Sequence, residues 1–371
     1  MHIDLDAIER NCATIRAATG PLVELCAVVK ADAYGHGAPA VAHAALAGGA
    51  SRLAVATVDE AEELRNAGVT APVLLLGPLT SDEIPRALRA RVEVVAWRAE
   101  FLETVLGLRS VSAEPLAIHV KLDVGMGRLG VREADALEAL ARQIVATPAL
   151  RLAGAMTHLP CADEDPERSR AQVRAFRTFG ARLKSFAPDV VLHAANSAAT
   201  LSLHESRLDM VRCGVALYGL DPFGRDPAHH GLRPALELCS YVAALKPIAP
   251  GESVGYGGQF VAAEPGWIAT IPIGYGDGWR RAFSGRTDVL IAGCRYPIVG
   301  RVSMDSLTVD VGPGTPRIAE GDKAVLLGAD GDERISAEEL ARRVDTINYE
   351  ITTALSRRPT RNYHRGLIDV V

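Results

Sequence analysis

Eight apolar runs with helical patterns between them constrain this chain more than any other feature. They fall at Val23–Val29, Leu53–Ala56, Val73–Leu76, Val92–Ala96, Leu116–Leu122, Leu152–Thr157, Val190–Ala194 and Asp209–Leu217. Val58–Ala67 carries acids in its first turn, and Arg132–Ala146 places Ala136, Leu137, Leu140 and Ile144 at helical spacing. Buried strands alternating with amphipathic helices predict a parallel sheet, and eight strands with seven intervening segments predict a (β/α)8 TIM-like barrel. A doubly wound open sheet is the alternative. Near Arg233 the texture changes. Pro234, Pro247, Pro250 and several glycines punctuate short runs at Leu236–Leu245, Trp267–Ile273, Thr287–Ile291, Ile298–Val302, Leu307–Val311 and Ala324–Leu327. Such spacing predicts a compact, mostly-β second domain, with the boundary between 230 and 238. A late helix is expected over Ala337–Val344, with Ser336 as N-cap and Glu339 completing a capping box.

Composition excludes several functions. A chain of 371 residues, 48% hydrophobic and 23% charged, can bury two cores. A net charge of −5 leaves no basic footprint for nucleic acid. The ten histidines show no metal-ligand spacing, and the six cysteines form no C-x-x-C, which fits reduced thiols better than disulfides or a zinc site. The opening Met1-His2-Ile3-Asp4-Leu5-Asp6 has no apolar signal stretch, and no run of apolar residues is long enough for a membrane span. The expectation is a cytoplasmic protein.

The first strand ends in a lysine. Leu22–Val29 is apolar apart from Glu24, and Lys30-Ala31-Asp32-Ala33-Tyr34-Gly35-His36-Gly37 turns sharply before a helix at about Pro39–Gly48. Any single strand-end lysine is more often solvated than functional. Here a phenol and the amides of Gly35 and Gly37 could bind a phosphate, and an amine beside a phosphate suits a Schiff base with pyridoxal 5'-phosphate. The stretch Ala27-Val28-Val29-Lys30-Ala31-Asp32-Ala33-Tyr34-Gly35-His36-Gly37 resembles the cofactor-lysine motif of the pyridoxal-phosphate-dependent alanine racemases, and the resemblance continues from Ile3 to about Tyr363. It implies a barrel domain over 5–233 that binds the cofactor, and a β-rich domain over 234–371 joined by residues 1–4.

Barrel enzymes place their chemistry at the C-terminal ends of the strands. Unusual polar residues recur there: Lys30 and Tyr34 after the first run, Arg128 after the fifth, His158 after the sixth, Asn196 and Ser197 after the seventh, and Arg212, Gly214 and Val215 at the eighth. Each alone could be structural, but their recurrence at five strand ends on one rim argues for a site. The loops after the last two strands are the usual phosphate site of this fold, which suits Ser197 and the amides of Gly214 and Val215. Gly125-Met126-Gly127-Arg128-Leu129-Gly130 matches G-x-G-x-x-G, but no acid follows near position 150 to hold a ribose, and Arg128 would crowd a pyrophosphate. A nicotinamide oxidoreductase is therefore rejected as the primary reading.

The resemblance implies further roles. Arg212 faces the pyridine nitrogen, braced by His158 and His193. A guanidinium does not readily release its proton, so the ring stays unprotonated and the cofactor is a weaker electron sink, which favours return of the proton over side reactions. Lys30 serves one face of Cα and Tyr256 the other, although a phenol is by itself a poor base at neutral pH. Tyr256 lies in the second domain and is expected to enter from a partner chain, giving a homodimer with shared sites. Tyr349 matches a phosphate-binding tyrosine, Met304 a substrate contact through its backbone from the partner chain, and Tyr275 a residue narrowing the entrance. Arg128 is expected to hold the cofactor's phenolic oxygen near the substrate carboxylate. Lys121 matches a lysine that is often carbamylated, against the plainer reading of an ion pair with Asp123. No metal is expected.

The implied function is an isomerase interconverting L- and D-alanine and supplying D-alanine for peptidoglycan. A decarboxylase of similar architecture would place an acid where this chain has Arg212. A cofactor carrier would need neither the second domain nor Tyr256. A broad-specificity or serine racemase is the alternative that remains, because one hydroxyl in a pocket is worth only about 1–3 kcal/mol.

Overall fold

The computed structural model describes residues 1–108 and 114–366. The chain divides into two compact units, one formed by residues 7–223 and 227–233, the other by residues 1–6, 224–226 and 234 onward.

The first unit is an eight-stranded parallel sheet. Its strands are β2 (Glu24–Val28), β3 (Arg52–Val55), β4 (Val73–Leu75), β5 (Glu93–Ala96), β6 (Leu116–Lys121), β7 (Leu150–Met156), β8 (Val191–His193) and β9 (Met210–Cys213), and β1 (His2–Asp4) belongs to the other unit. The order β8-β7-β6-β5-β4-β3-β2-β9 leaves β8 and β9 at the two ends. Backbone bonds from Asp209 N to Leu192 O (3.0 Å) and from Arg212 N to Ala195 O (2.9 Å) draw these ends together into a nearly closed barrel. That disposes of the open sheet. Every residue of β4, β5, β6 and β9 is buried, as strands covered on both faces must be. The helices between them begin where the side chains allow it. Thr57 and Glu60 form a reciprocal capping box before the helix Val58–Asn66, and Asp165 caps Pro166–Lys184 through Arg168 N at 3.0 Å. The eighth strand is shorter than the apolar run Asp209–Leu217. After Cys213 the chain turns at Gly214 into a 3-10 segment, Val215–Tyr218, whose apolar side chains stay buried without pairing.

The second unit is a largely antiparallel sheet. Its remaining strands are β10 (Leu236–Tyr241), β11 (Ala244–Ile248), β12 (Ser253–Val254), β13 (Phe260–Val261), β14 (Gly266–Ile271), β15 (Asp288–Ile291), β16 (Cys294–Val299), β17 (Leu307–Gly312), β18 (Lys323–Asp330), β19 (Glu333–Ile335) and β20 (Asn362–His364). The main sheet runs β11-β14-β17-β16-β15-β18-β10-β1-β20, with β19 beside β18 and the hairpin β12-β13 separate. The N-terminal strand is thus held between β10 and β20. Ser336 caps the helix Ala337–Arg343 through Glu339 N at 3.1 Å. The other half of the expected capping box is absent, because the Glu339 carboxylate is taken by Arg295 and Arg343.

Candidate active site

Lys30 follows β2 after the single residue Val29, and the next four residues, Ala31, Asp32, Ala33 and Tyr34, all have φ between 51° and 54°. A left-handed turn of L-residues costs about 1–2 kcal/mol per residue and needs outside support. That support is present. Glu60 accepts from Ala31 N at 2.6 Å, Asp32 accepts from Ala38 N at 2.9 Å, and His36 Nδ1 lies 3.1 Å and 3.0 Å from the carbonyls of Ala33 and Tyr34. The Tyr34 ring stacks on Tyr218 at 4.8 Å, and the Tyr218 hydroxyl donates to Val28 O at 2.8 Å. The turn therefore holds a half-buried amine and a buried phenol in fixed places. Burial first, then the charge of Arg128, lowers Lys30 below the usual lysine range, with Glu60 opposing.

The loops after β8 and β9 meet that phenol. A Cβ on Gly214 would lie 2.3 Å from the Tyr34 hydroxyl oxygen, so only glycine lets the two approach. Asn196 caps the short helix Ser197–Ser202 through Ala199 N at 3.0 Å. Ser197 Oγ accepts from Gly214 N at 3.0 Å and Ala216 N at 3.4 Å. The Gly214 amide, expected to be available to a phosphate, is thus already engaged. The Val215 amide has no acceptor among the described residues.

Arg212 lies on β9 and is 4% exposed. Its Nη1 meets His193 Nδ1 at 2.8 Å and His193 O at 2.9 Å, and its Nη2 donates to Thr157 O at 2.7 Å and Ala194 O at 3.3 Å. Both terminal nitrogens are committed, and the Nε N–H has no acceptor among the described residues. Burial lowers Arg212 to about 10, still high enough to keep its charge at neutral pH. His158, the second histidine expected to brace it, makes no hydrogen bond to Arg212 among the described residues; the carbonyl of its neighbour Thr157 does so instead. Burial, followed by the charges of Arg212, Lys121, Arg128 and Lys30, pushes His158 down to about 3, so it is neutral.

Lys121 ends β6 and is 4% exposed. Burial, then Arg212 and Arg128, lowers it to about 8. The plain reading of Lys121 as the partner of Asp123 is not what is seen. Asp123 accepts from Gly125 N at 3.0 Å and Gly127 N at 3.1 Å and pairs with Arg132 at 3.2 Å. The same bonds explain the glycine-rich stretch, whose amides wrap a side chain of the protein rather than a pyrophosphate. Arg128 projects exposed from this loop.

In the other unit Tyr256, Tyr275 and Met304 are 72%, 45% and 53% exposed. Tyr275 N donates to Ser303 O at 3.0 Å and Gly276 N to Met304 O at 2.9 Å, which ties Tyr275 to Met304. Tyr256 and Gly255, between β12 and β13, line a pocket with Arg301 and Ser303, between β16 and β17. Tyr349 is half-buried on the helix Asn348–Thr353. Sequence reasoning missed His119, Glu93 and Gly154, which lie beneath Arg212 in the barrel; their only sequence signals are two lone polar residues and one glycine inside apolar strands.

Comparisons with known proteins bear on this site. Residues 3–222 match the family model described as alanine racemase, N-terminal domain, and residues 235–363 match alanine racemase, C-terminal domain. The chain belongs to the alanine racemase family. It is an amino-acid racemase, an isomerase. It is 41% identical to alanine racemase of Syntrophobacter fumaroxidans, covering 99% of this chain and 98% of that one. Among solved structures, alanine racemase from E. faecalis superposes with a TM-score of 0.92 at 36% identity, covering 98% and 97% of the two chains. Alanine racemase from Bacillus anthracis with bound L-Ala-P superposes with a TM-score of 0.89 at 39% identity, covering 98% and 94%.

Proposed function

We propose that this racemase interconverts L- and D-alanine with pyridoxal 5'-phosphate and two bases, Lys30 and Tyr256, in the cytoplasm, and that its D-alanine feeds peptidoglycan. The observation that carries the reading is the donor set of Arg212, buried with both terminal nitrogens bonded to protein and its Nε N–H left over. A pyridine nitrogen is the acceptor such a donor suits. The Gly214–Tyr34 approach, Ser197 and the Val215 amide suit a phosphate, so the residues present fit the cofactor.

Pyridoxal phosphate, when bound, draws electrons from the substrate's Cα and makes its proton acidic. The protein's part is to hold the group and to move that proton. Tyr34, Ser197 and the Val215 amide would hold the phosphate end, with Asn196 capping the helix that begins at Ser197 and Gly214 giving Tyr34 its space. Arg212 would donate its Nε N–H to the ring nitrogen and keep its own proton, and neutral His158 lies near the charges of Arg212, Lys121, Arg128 and Lys30. Lys30, lowered by burial, has a larger neutral fraction at physiological pH than a solvated lysine and can take the proton from one face of Cα. Tyr256 serves the opposite face. Arg128 would orient the substrate carboxylate, with the Met304 backbone a second contact and Tyr275 at the entrance. Lys121, near 8 and with no ion pair to a carboxylate among the described residues, is suited to react with carbon dioxide, and carbamylation would replace its positive charge with a negative one near Arg128.

The exposure of Tyr256, Tyr275 and Met304, on three loops of the β unit, supports a surface completed by a second copy, hence a homodimer with shared sites. Six free thiols fit a reducing compartment. The test is loss of optical rotation with a panel of L-amino acids, together with borohydride labelling. Alanine turned over far faster than serine, with label on the Lys30 peptide, is expected. Equal rates would favour the broad-specificity alternative, and label on another lysine would contradict the assignment.

A further inference from the structure

Beneath Arg212 a chain of buried polar groups runs down through the barrel. His193 ends β8, and its Nε2 lies 2.8 Å from His119 Nδ1 on β6. His119 Nε2 lies 3.1 Å from Glu93 Oε2, at the start of β5, and the same carboxylate oxygen pairs with Arg52 at the start of β3. Both histidines are fully buried. Burial keeps both imidazoles below the usual histidine range; it pushes the Glu93 carboxyl up, but His119 and then Arg52 outweigh it and hold that carboxyl below its own range.

Two neutral imidazoles between these ends can be protonated in one way only. A carboxylate can only accept, so His119 carries its proton on Nε2. His119 Nδ1 is then an acceptor, and His193 must donate to it from Nε2. His193 Nδ1 is left with its lone pair, facing a guanidinium that can only donate. Both ends of the chain thus enforce one polarity. A second, independent feature makes room for it. Gly154 on β7 pairs with His119 in the sheet, and a Cβ there would lie 2.2 Å from His119 Nδ1. Only a glycine at this position lets the two rings meet at 4.9 Å between centroids.

We propose that Glu93 is a positioning residue for racemisation: through the enforced tautomers of His119 and His193 it presents a lone pair to Arg212 and fixes the guanidinium, with Gly154 providing the space. The catalytic part rests on Arg212 facing the cofactor's ring nitrogen, as proposed above.

The test uses the full-length protein labelled with 15N-histidine. Two-bond nitrogen–proton correlation spectra, taken without substrate, report the tautomers, and kcat and KM for alanine are measured on the cofactor-loaded enzyme. Wild-type His119 and His193 should both be neutral Nε2–H forms. Glu93→Leu should release His119 into mixed tautomers, shift the His193 ring nitrogens and lower kcat about tenfold with little change in KM, as expected when a reacting geometry is loosened rather than lost. Glu93→Gln keeps an oxygen for His119 and should restore both spectra and most of kcat. Should Glu93→Leu not fold, Gly154→Ala leaves every charge in place and should give the same two effects by pushing His119 off His193. Unchanged His193 resonances with wild-type kcat, or a Glu93→Gln variant no better than the leucine variant, would overturn the proposal. Because the spectra need no turnover, a failure of the proposed alanine activity would be seen separately from a failure of the relay.

Discussion

At position 214 one methyl group decides how closely the loop after β9 can approach Tyr34. The Cβ of an alanine there would meet the Tyr34 hydroxyl at 2.3 Å, and Tyr34 cannot swing away freely because it stacks on Tyr218. Gly214→Ala should weaken pyridoxal phosphate binding to the apoprotein about tenfold, read by fluorescence titration, and Tyr34→Phe in the same chain should cost less than the two changes separately, since both act on one contact. Wild-type affinity in Gly214→Ala would remove Tyr34 and Gly214 from the cofactor site. Lys30, Tyr34, Ser197 and Arg212 stood out in the sequence because each is a polar residue near the C-terminal end of a strand or in the loop after it, where a barrel's chemistry is found. Glu93 and His119 were not, because a single polar residue inside a buried strand looks the same whether it is a satisfied core group or part of a relay. The partner of Arg212 was half legible: His193 braces it, but the second brace is the Thr157 carbonyl, and a backbone acceptor leaves no mark on residue type.

The element that decides the site is the left-handed turn after β2. Four consecutive non-glycine residues with positive φ have no propensity signature, so the sequence indicated a sharp turn but not its hand. Its stability comes from a side chain in another element. Glu60 accepts from Ala31 N with one oxygen, and from Ala56 N at 2.7 Å and Thr57 N at 3.2 Å with the other. Glu60→Ala should therefore lower stability by about 1–2 kcal/mol, through the lost helix cap and unsatisfied amides. It should also loosen Lys30, so that borohydride fixation of the cofactor falls while Glu60→Gln is affected less. Chemical denaturation with the labelling yield checks both; full labelling at normal stability would mean that the turn holds itself. Strand ends were less legible than strands. Val215–Leu217 are apolar and buried yet lie in a 3-10 segment, because burial alone does not require pairing. Glu339 sits where a capping box needs it, but Arg295 outcompetes a backbone amide for its carboxylate.

At the scale of the whole molecule, a barrel carrying Lys30 and a β unit carrying Tyr256 are separate compact bodies. That division was legible from the change from alternating helix and strand to proline-punctuated short strands near Arg233. In the proposed mechanism the two bases of one site come from two chains. Mixed dimers test it most directly. Lys30→Ala and Tyr256→Phe subunits, each inactive as homodimers, are co-refolded or co-expressed and the hybrid is isolated by two affinity tags. If Tyr256 acts across the interface, each hybrid holds one intact site and one doubly defective site, so an unfractionated mixture should recover about a quarter of wild-type activity and the pure hybrid about half. Hybrids that form, bind pyridoxal phosphate and show no racemisation above the parents would contradict the shared site and return Tyr256 to its own chain or remove it from the chemistry.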